Sequence, residues 1–200
     1  SYKIDLKSIN IDFLSSAAHK FHGPKGIGFT FINKSTKIKS FICGGPQARG
    51  LRAGTESVHN IVGMTKALEI ADKNMEQEAK HVLSIKEYMI DNLRKLFPDI
   101  HFNGESGNIK NSTYTILNVC LPISNDKAAM LDFNLDLNGI ACSKGSACQS
   151  GSSEGSHVLN EIQSEDQKKF PSVRFSFSHN NKIEEVDYLI DTLKELINSQ

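Results

Sequence analysis

The chain has 200 residues, 38% of them hydrophobic, which is enough for a packed core in one or two domains. Basic and acidic residues number 23 each, so the net charge is zero, and a binder held to nucleic acid by a basic excess is excluded. No apolar run nears the roughly 18–20 residues that span a bilayer, and Lys3, Asp5 and Lys7 break up any leader-like stretch at the start.

The opening residues, SYKIDLKSINIDFLSS, are apolar without a starting signal and read as the middle of a longer chain. Residues 11–16 are expected to form a short buried strand and residues 26–33, aromatic and β-branched, a second. Between them AAHKFHGPKG is a turn marked by glycine and proline. A third short strand is expected at 38–43, and 44–54 is a glycine-rich loop. From Thr55 to Phe97 apolar residues recur at three- and four-residue spacing, which predicts more than forty residues of helix starting at Thr55 and ending at Phe97-Pro98. Residues 113–121 read as a strand, 125–138 as a helix capped by Ser124 or Asn125, and 140–142 as a short strand. By its serine and glycine content SKGSACQSGSSEGS reads as a mobile loop, followed by a helical turn at 156–162. Residues 172–178 alternate as a strand does, and 182–198 form an amphipathic helix capped by Asn180 or Asn181. The alternation of strands and helices in the last hundred residues predicts a small α/β domain.

Four clusters carry chemistry. Lys20, beside His19 and before a GPKG turn, suits a Schiff-base amine, which must be partly desolvated and held still; an ordinary surface lysine at a strand end is the competing reading. Arg52-Ala53-Gly54-Thr55, at a predicted helix start, offers amides and a hydroxyl to a phosphate, and Thr55 serves equally as a plain helix cap. Cys148, alone in a soft loop, suits a nucleophile or a metal ligand. Arg174, in an otherwise half-buried strand, suits a bidentate grip on a carboxylate, unless the polar face with Ser172 and Ser176 merely looks into solvent. Cys43, Cys120 and Cys142 stand in apolar, strand-like contexts and are expected to be inert core residues. Four widely spaced cysteines in a chain of this size point to a reducing compartment, the cytoplasm.

In this order the four clusters resemble the cysteine desulfurases of the class V aminotransferase family. AAHKFHGPKGIG resembles the cofactor-lysine motif and GGPQARGLRAGT the glycine loop. CSKGSACQS resembles the catalytic-cysteine loop, and SVRFSFS the arginine strand. The resemblance runs over essentially the whole chain and, through its long serine- and glycine-rich cysteine loop, is closest to the subgroup that hands sulfur to iron–sulfur scaffold proteins. It implies a fold type I pyridoxal-phosphate enzyme, seen from its C-terminal half. Residues 1–55 would end the large domain, 56–98 would form a long connecting helix, and 99–200 would be the small C-terminal α/β domain. Lys20 would anchor pyridoxal 5'-phosphate and move the substrate's Cα proton. His19 and Thr55 would hold its phosphate, with Thr55 reaching the other subunit of a homodimer. Arg174 would bind the carboxylate of L-cysteine. Cys148 would take up the sulfur as a persulfide, pass it to an acceptor, and in some members share in ligating a nascent iron–sulfur cluster.

Ala17 stands where the family has a phosphate-binding serine, and Pro46 and Ala48 where it has glycine and glutamate. The family's aspartate for the pyridine nitrogen and its ring-stacking histidine match nothing in these 200 residues, so the chain by itself is expected to be inactive, and its first 55 residues are expected to lack most of their sheet partners. Two other readings compete. One is a selenocysteine lyase or related class V enzyme. The other is a non-enzymatic metal-binding or degenerate domain, against which stands the lack of any C-x-x-C or H-x-x-x-H pair.

Overall fold

The computed structural model describes residues 2–143 and 156–198. The chain is mixed α/β, as expected, and divides into two compact units, Tyr2–Glu76 and Gln77–Gln200.

In the first unit β1 (Phe13–Ala17) pairs antiparallel with β2 (Gly28–Ile32), Phe13 opposite Ile32 and Ala17 opposite Gly28. The turn between them is narrow because its backbone closes on itself. Ala18 donates to Ile27 O at 3.0 Å, and Gly23 donates to Ala18 O at 2.8 Å. Only glycine fits at 28, where a Cβ would lie 2.3 Å from the Ser16 carbonyl oxygen. The expected burial of residues 11–16 is not found: each is half-buried or exposed, with Phe13 and, across on β2, Phe29 exposed. A two-stranded ribbon has only one neighbour per strand, so neither face is covered by a third strand among the described residues. The expected strand at 38–43 is likewise absent. That segment has no ladder partner, Phe41 is 98% exposed, and Cys43 is exposed rather than a core residue.

Helix α1 (Val58–Leu96) is 39 residues long, and the division between the units falls within it. It begins three residues after Thr55, not at it. Ser57 accepts the first backbone bond, from Ile61, and its hydroxyl is tied to Asn60. In the first unit Gly63 of this helix lies against Pro24 of the β1–β2 turn, where a Cβ would come within 2.8 Å of the proline ring.

The second unit has an antiparallel sheet in the order β3 (His101–Phe102), β4 (Ile116–Cys120), β5 (Ser172–Ser176). Leu117, Val119, Val173 and Phe175 project from one face into a core shared with α1 (Ile85, Met89, Leu93), α2 (Asn125–Leu137; Leu131, Leu135) and α4 (Ile183–Asn198; Val186, Leu189, Leu193). The period-2 alternation of the strands and the 3.6-residue stripe of α4 thus meet on one side of the sheet. Residues 140–142 do not form the expected strand; contact with β5 is a single bridge at Ser143. Ser124 precedes α2 but its side chain caps nothing, and α4 starts after Lys182, whose N–H donates to Glu185 at 2.9 Å, while Asn181 braces the turn before it. Helix α3 is short (His157–Ile162), its entry capped by Ser156.

Candidate functional site

The turn after β1 is one round of 3-10 helix, Ala18–Phe21, which presents His19 and Lys20 together. Ala18 is fully buried and pins it from below, and His22 follows in the left-handed conformation, φ 66°. Both His19 and Lys20 are exposed, and among the described residues neither side chain is engaged by a hydrogen bond or ion pair. The expected tight turn is present, closed by its backbone bonds, and the amine it carries is exposed within its own unit instead of desolvated.

The glycine loop is held by specific bonds. Gln47 Oε1 accepts from the Gly54 N–H at 3.2 Å, and Ala53, itself buried, donates to Ile42 O at 3.1 Å. Ala48 and Arg49 adopt φ of 46° and 58°, a conformation that costs non-glycine residues energy. This strain falls where the sequence departs from the resembled glycine loop. Thr55, exposed and with its hydroxyl unspent among the described residues, follows Gly54 in the same unit.

Arg174 lies on β5 in the second unit, directly across from Asn118 of β4, on the face turned away from the core. Its Nε is buried and has no acceptor among the described residues. A buried guanidinium N–H without a partner is costly, which counts against the solvent-facing reading and fits a site for an anion. Its backbone is doubly bonded to Ser143: Arg174 N to Ser143 O at 2.8 Å and Ser143 N to Arg174 O at 3.1 Å. Cys148 lies outside the described residues. The other thiols in the second unit are held protonated. Burial raises the Cys120 thiol, and burial together with Asp132 and Asp136 pushes Cys142 up to about 11. Among the described residues no group of histidines, cysteines and carboxylates could hold a metal ion.

Two features escaped the sequence reading. Lys86, on the buried face of α1, is wholly inside and donates to Ser112 Oγ at 2.7 Å and Thr113 O at 2.8 Å, its pKa lowered by burial. Beside Arg174, Asn103, Asn118, Ser172 and Gln163 form a connected polar network. Asn118 shows a sequence signal, a lone amide in TILNVCL at strand period; Gln163 shows none, because its partners are 60 and 9 positions away.

The donors fit a phosphorylated, carbonyl-bearing cofactor and an amino-acid carboxylate in kind. In the first unit these are an amine on a tight turn, an imidazole and a hydroxyl, none engaged by a side-chain hydrogen bond among the described residues; in the second unit it is a guanidinium whose buried Nε has no acceptor among the described residues. Comparison with known proteins gives the family. The model of the family described as Aminotransferase class-V matches residues 1–189. The chain is 38% identical over 194 residues to Cysteine desulfurase IscS of Clostridium botulinum, covering 97% of this chain and 48% of that protein. It is 37% identical over 198 residues to Cysteine desulfurase of Bradyrhizobium diazoefficiens, covering 98% and 48%. A solved NifS-like protein superposes with a TM-score of 0.75 at 33% identity, covering 94% of this chain and 46% of that one. A NifS-like protein from Rickettsia africae shares the fold, with a TM-score of 0.79 at 23% identity, covering 98% and 50%. The chain spans about half the length of the curated relatives it matches.

Proposed function

The chain belongs to the aminotransferase class-V family, and from that premise we propose that the protein it represents is a pyridoxal-phosphate-dependent cysteine desulfurase. Its substrate is L-cysteine, its products L-alanine and an enzyme-bound persulfide. The observation that carries the reading is Arg174, whose buried Nε has no acceptor among the described residues, on a strand bonded to Ser143.

Lys20 is the covalent anchor of the cofactor, and His19 and Thr55 hold its phosphate. When bound, pyridoxal phosphate supplies an electron sink for the substrate's Cα. Lys20 would carry the Cα proton. Arg174 fixes the substrate carboxylate. The Cys148 thiolate attacks the substrate sulfur: an S–S bond forms as the substrate S–Cβ bond breaks, the electron pair stays with the carbon fragment, and that fragment leaves as alanine once protonated. Cys148 stands five positions after Ser143, and an extended chain spans at most about 3.6 Å per residue, so its tether to the Arg174 strand is under about 18 Å long. The raised thiols of Cys120 and Cys142 support Cys148 in this role, since protonated sulfur is a poor nucleophile.

In the same reading the protein is a cytoplasmic homodimer that passes its sulfur to an acceptor such as an iron–sulfur scaffold, with Cys148 a ligand during hand-over. Residues 1–55 end the large domain, 56–98 connect, and 99–200 form the small domain. Among the described residues no helix is long and apolar enough to cross a membrane. The test is Cys148→Ala in the full-length protein, which is expected to keep the cofactor's absorbance and to lose sulfide release. Sulfide release at the wild-type rate would remove Cys148 from the mechanism.

A further inference from the structure

Beside Arg174 in the second unit, a chain of amides is joined side chain to side chain. Gln163 donates through Nε2 to Asn103 Oδ1 at 2.8 Å and to Ser172 Oγ at 2.9 Å. Asn103, only 9% exposed, donates through Nδ2 to Asn118 Oδ1 at 2.9 Å and to Ser172 Oγ at 3.0 Å. Each amino group has two hydrogens, and in Gln163 and Asn103 both are spent. The direction of the chain of amides is thereby fixed: Gln163 gives to Asn103, and Asn103 gives to Asn118. The Asn118 carbonyl is the end of the relay, and its Nδ2 hydrogens find no acceptor among the described residues.

Asn118 is the direct cross-strand partner of Arg174, so the two side chains leave the sheet side by side on one face. One is a guanidinium whose buried Nε–H has no acceptor among the described residues; the other is an amide whose Oδ1 accepts from Asn103, which leaves its Nδ2 hydrogens as donors. A buried guanidinium N–H without an acceptor among the described residues is costly, and an anion that completed it here would also be within reach of the Asn118 amide beside it. We infer that Asn118, turned by the Asn103–Gln163 relay, is a second donor to the carboxylate held by Arg174, and that Asn103 and Gln163 are positioning residues for it. The inference rests on the proposed role of Arg174 and extends it to the specificity for an α-carboxylate. Gln163 follows α3, so the relay also fastens that helix to the strand of the anion site.

The experiment is binding of L-alanine and of ethylamine, which lacks the carboxylate, to the full-length protein carrying pyridoxal phosphate, read by the cofactor's absorbance. Asn118→Asp keeps the shape and still accepts from Asn103, but replaces the donors with a negative oxygen. It is expected to weaken L-alanine by at least about tenfold and to leave ethylamine unchanged. Gln163→Glu can only accept. It turns Asn103 and then Asn118 about, so that a carbonyl faces Arg174, and is expected to weaken L-alanine several-fold without touching the ligand. Arg174→Ala separates the two ideas. If it abolishes the preference for L-alanine while both relay variants keep it, Asn118 is not a donor. If Arg174→Ala keeps the preference, the carboxylate role of Arg174 is wrong, and the Asn118 inference falls with it. Equal losses for L-alanine and ethylamine in Asn118→Asp also overturn the inference.

Discussion

Between Tyr2 and Glu76 the buried hydrophobic residues are Ala18 and Ala53, while Phe13, Phe29, Phe41, Val62 and Leu68 face solvent. Between Gln77 and Gln200 the sheet and helices close over a continuous core that includes Leu93, Leu117, Leu135, Val173 and Leu193. Yet the first unit bears the amine, the imidazole and the hydroxyl of the proposed site, fixed by backbone turns instead of by a core. The contrast teaches that local geometry, such as the Ala18–Gly23 and Ala18–Ile27 bonds, can hold a reactive turn in place where apolar burial is slight. The surroundings that would tune the amine's reactivity are a separate matter.

Substitutions in the two units should therefore act on different observables. The largest effect is expected from Lys20→Ala in the full-length protein: a loss of activity of about a thousandfold or more, with the thermal transition hardly moved, because the side chain contributes to no core. A large drop in melting temperature would show that the turn is structural after all. In the second unit Leu193→Ala should cost about 2–5 kcal/mol in a denaturant titration, since the side chain is fully enclosed. Cys142 comes next. Its folded pKa of about 11 lies above the ordinary thiol value of 9.0, so its stabilising effect is whole below pH 9 and is lost as the pH climbs from 9 through 11. Cys142→Ser should flatten the decline in stability over that window by on the order of 1–2 kcal/mol. The smallest effect is expected at Phe41→Ser, within about 0.5 kcal/mol, as Phe41 is almost wholly exposed.

Elements with strong periodicity were legible in the sequence: α1 from its three- and four-residue spacing, α4 from its apolar stripe, β4 and β5 from alternation. What misled was treating apolar character as burial. The run IKSFIC at 38–43 looks like a strand, but it finds no ladder partner among the described residues and Cys43 is exposed. Thr55 looked like a helix start, yet the chain needs Gly54 at φ 123° and two more residues before Ser57 can take the first backbone bond. The buried Lys86 was illegible because its acceptors, Ser112 and Thr113, are 26 and 27 residues away, and a lysine on a helix normally snorkels outward. Of the candidate site, His19 and Lys20 were legible as a pair, since sequence neighbours on a tight turn remain neighbours in space. The Asn118–Arg174 pairing needed the register of β4 on β5, which no local pattern supplies.

The most direct measurement is the site of sulfur uptake. The full-length protein, loaded with pyridoxal phosphate, would be given one equivalent of L-cysteine, quenched, digested and mapped by mass spectrometry. The account predicts the added mass of one sulfur atom on the peptide containing Cys148 and on no peptide containing Cys43, Cys120 or Cys142. Sulfur on any of those three with Cys148 unmodified would contradict it.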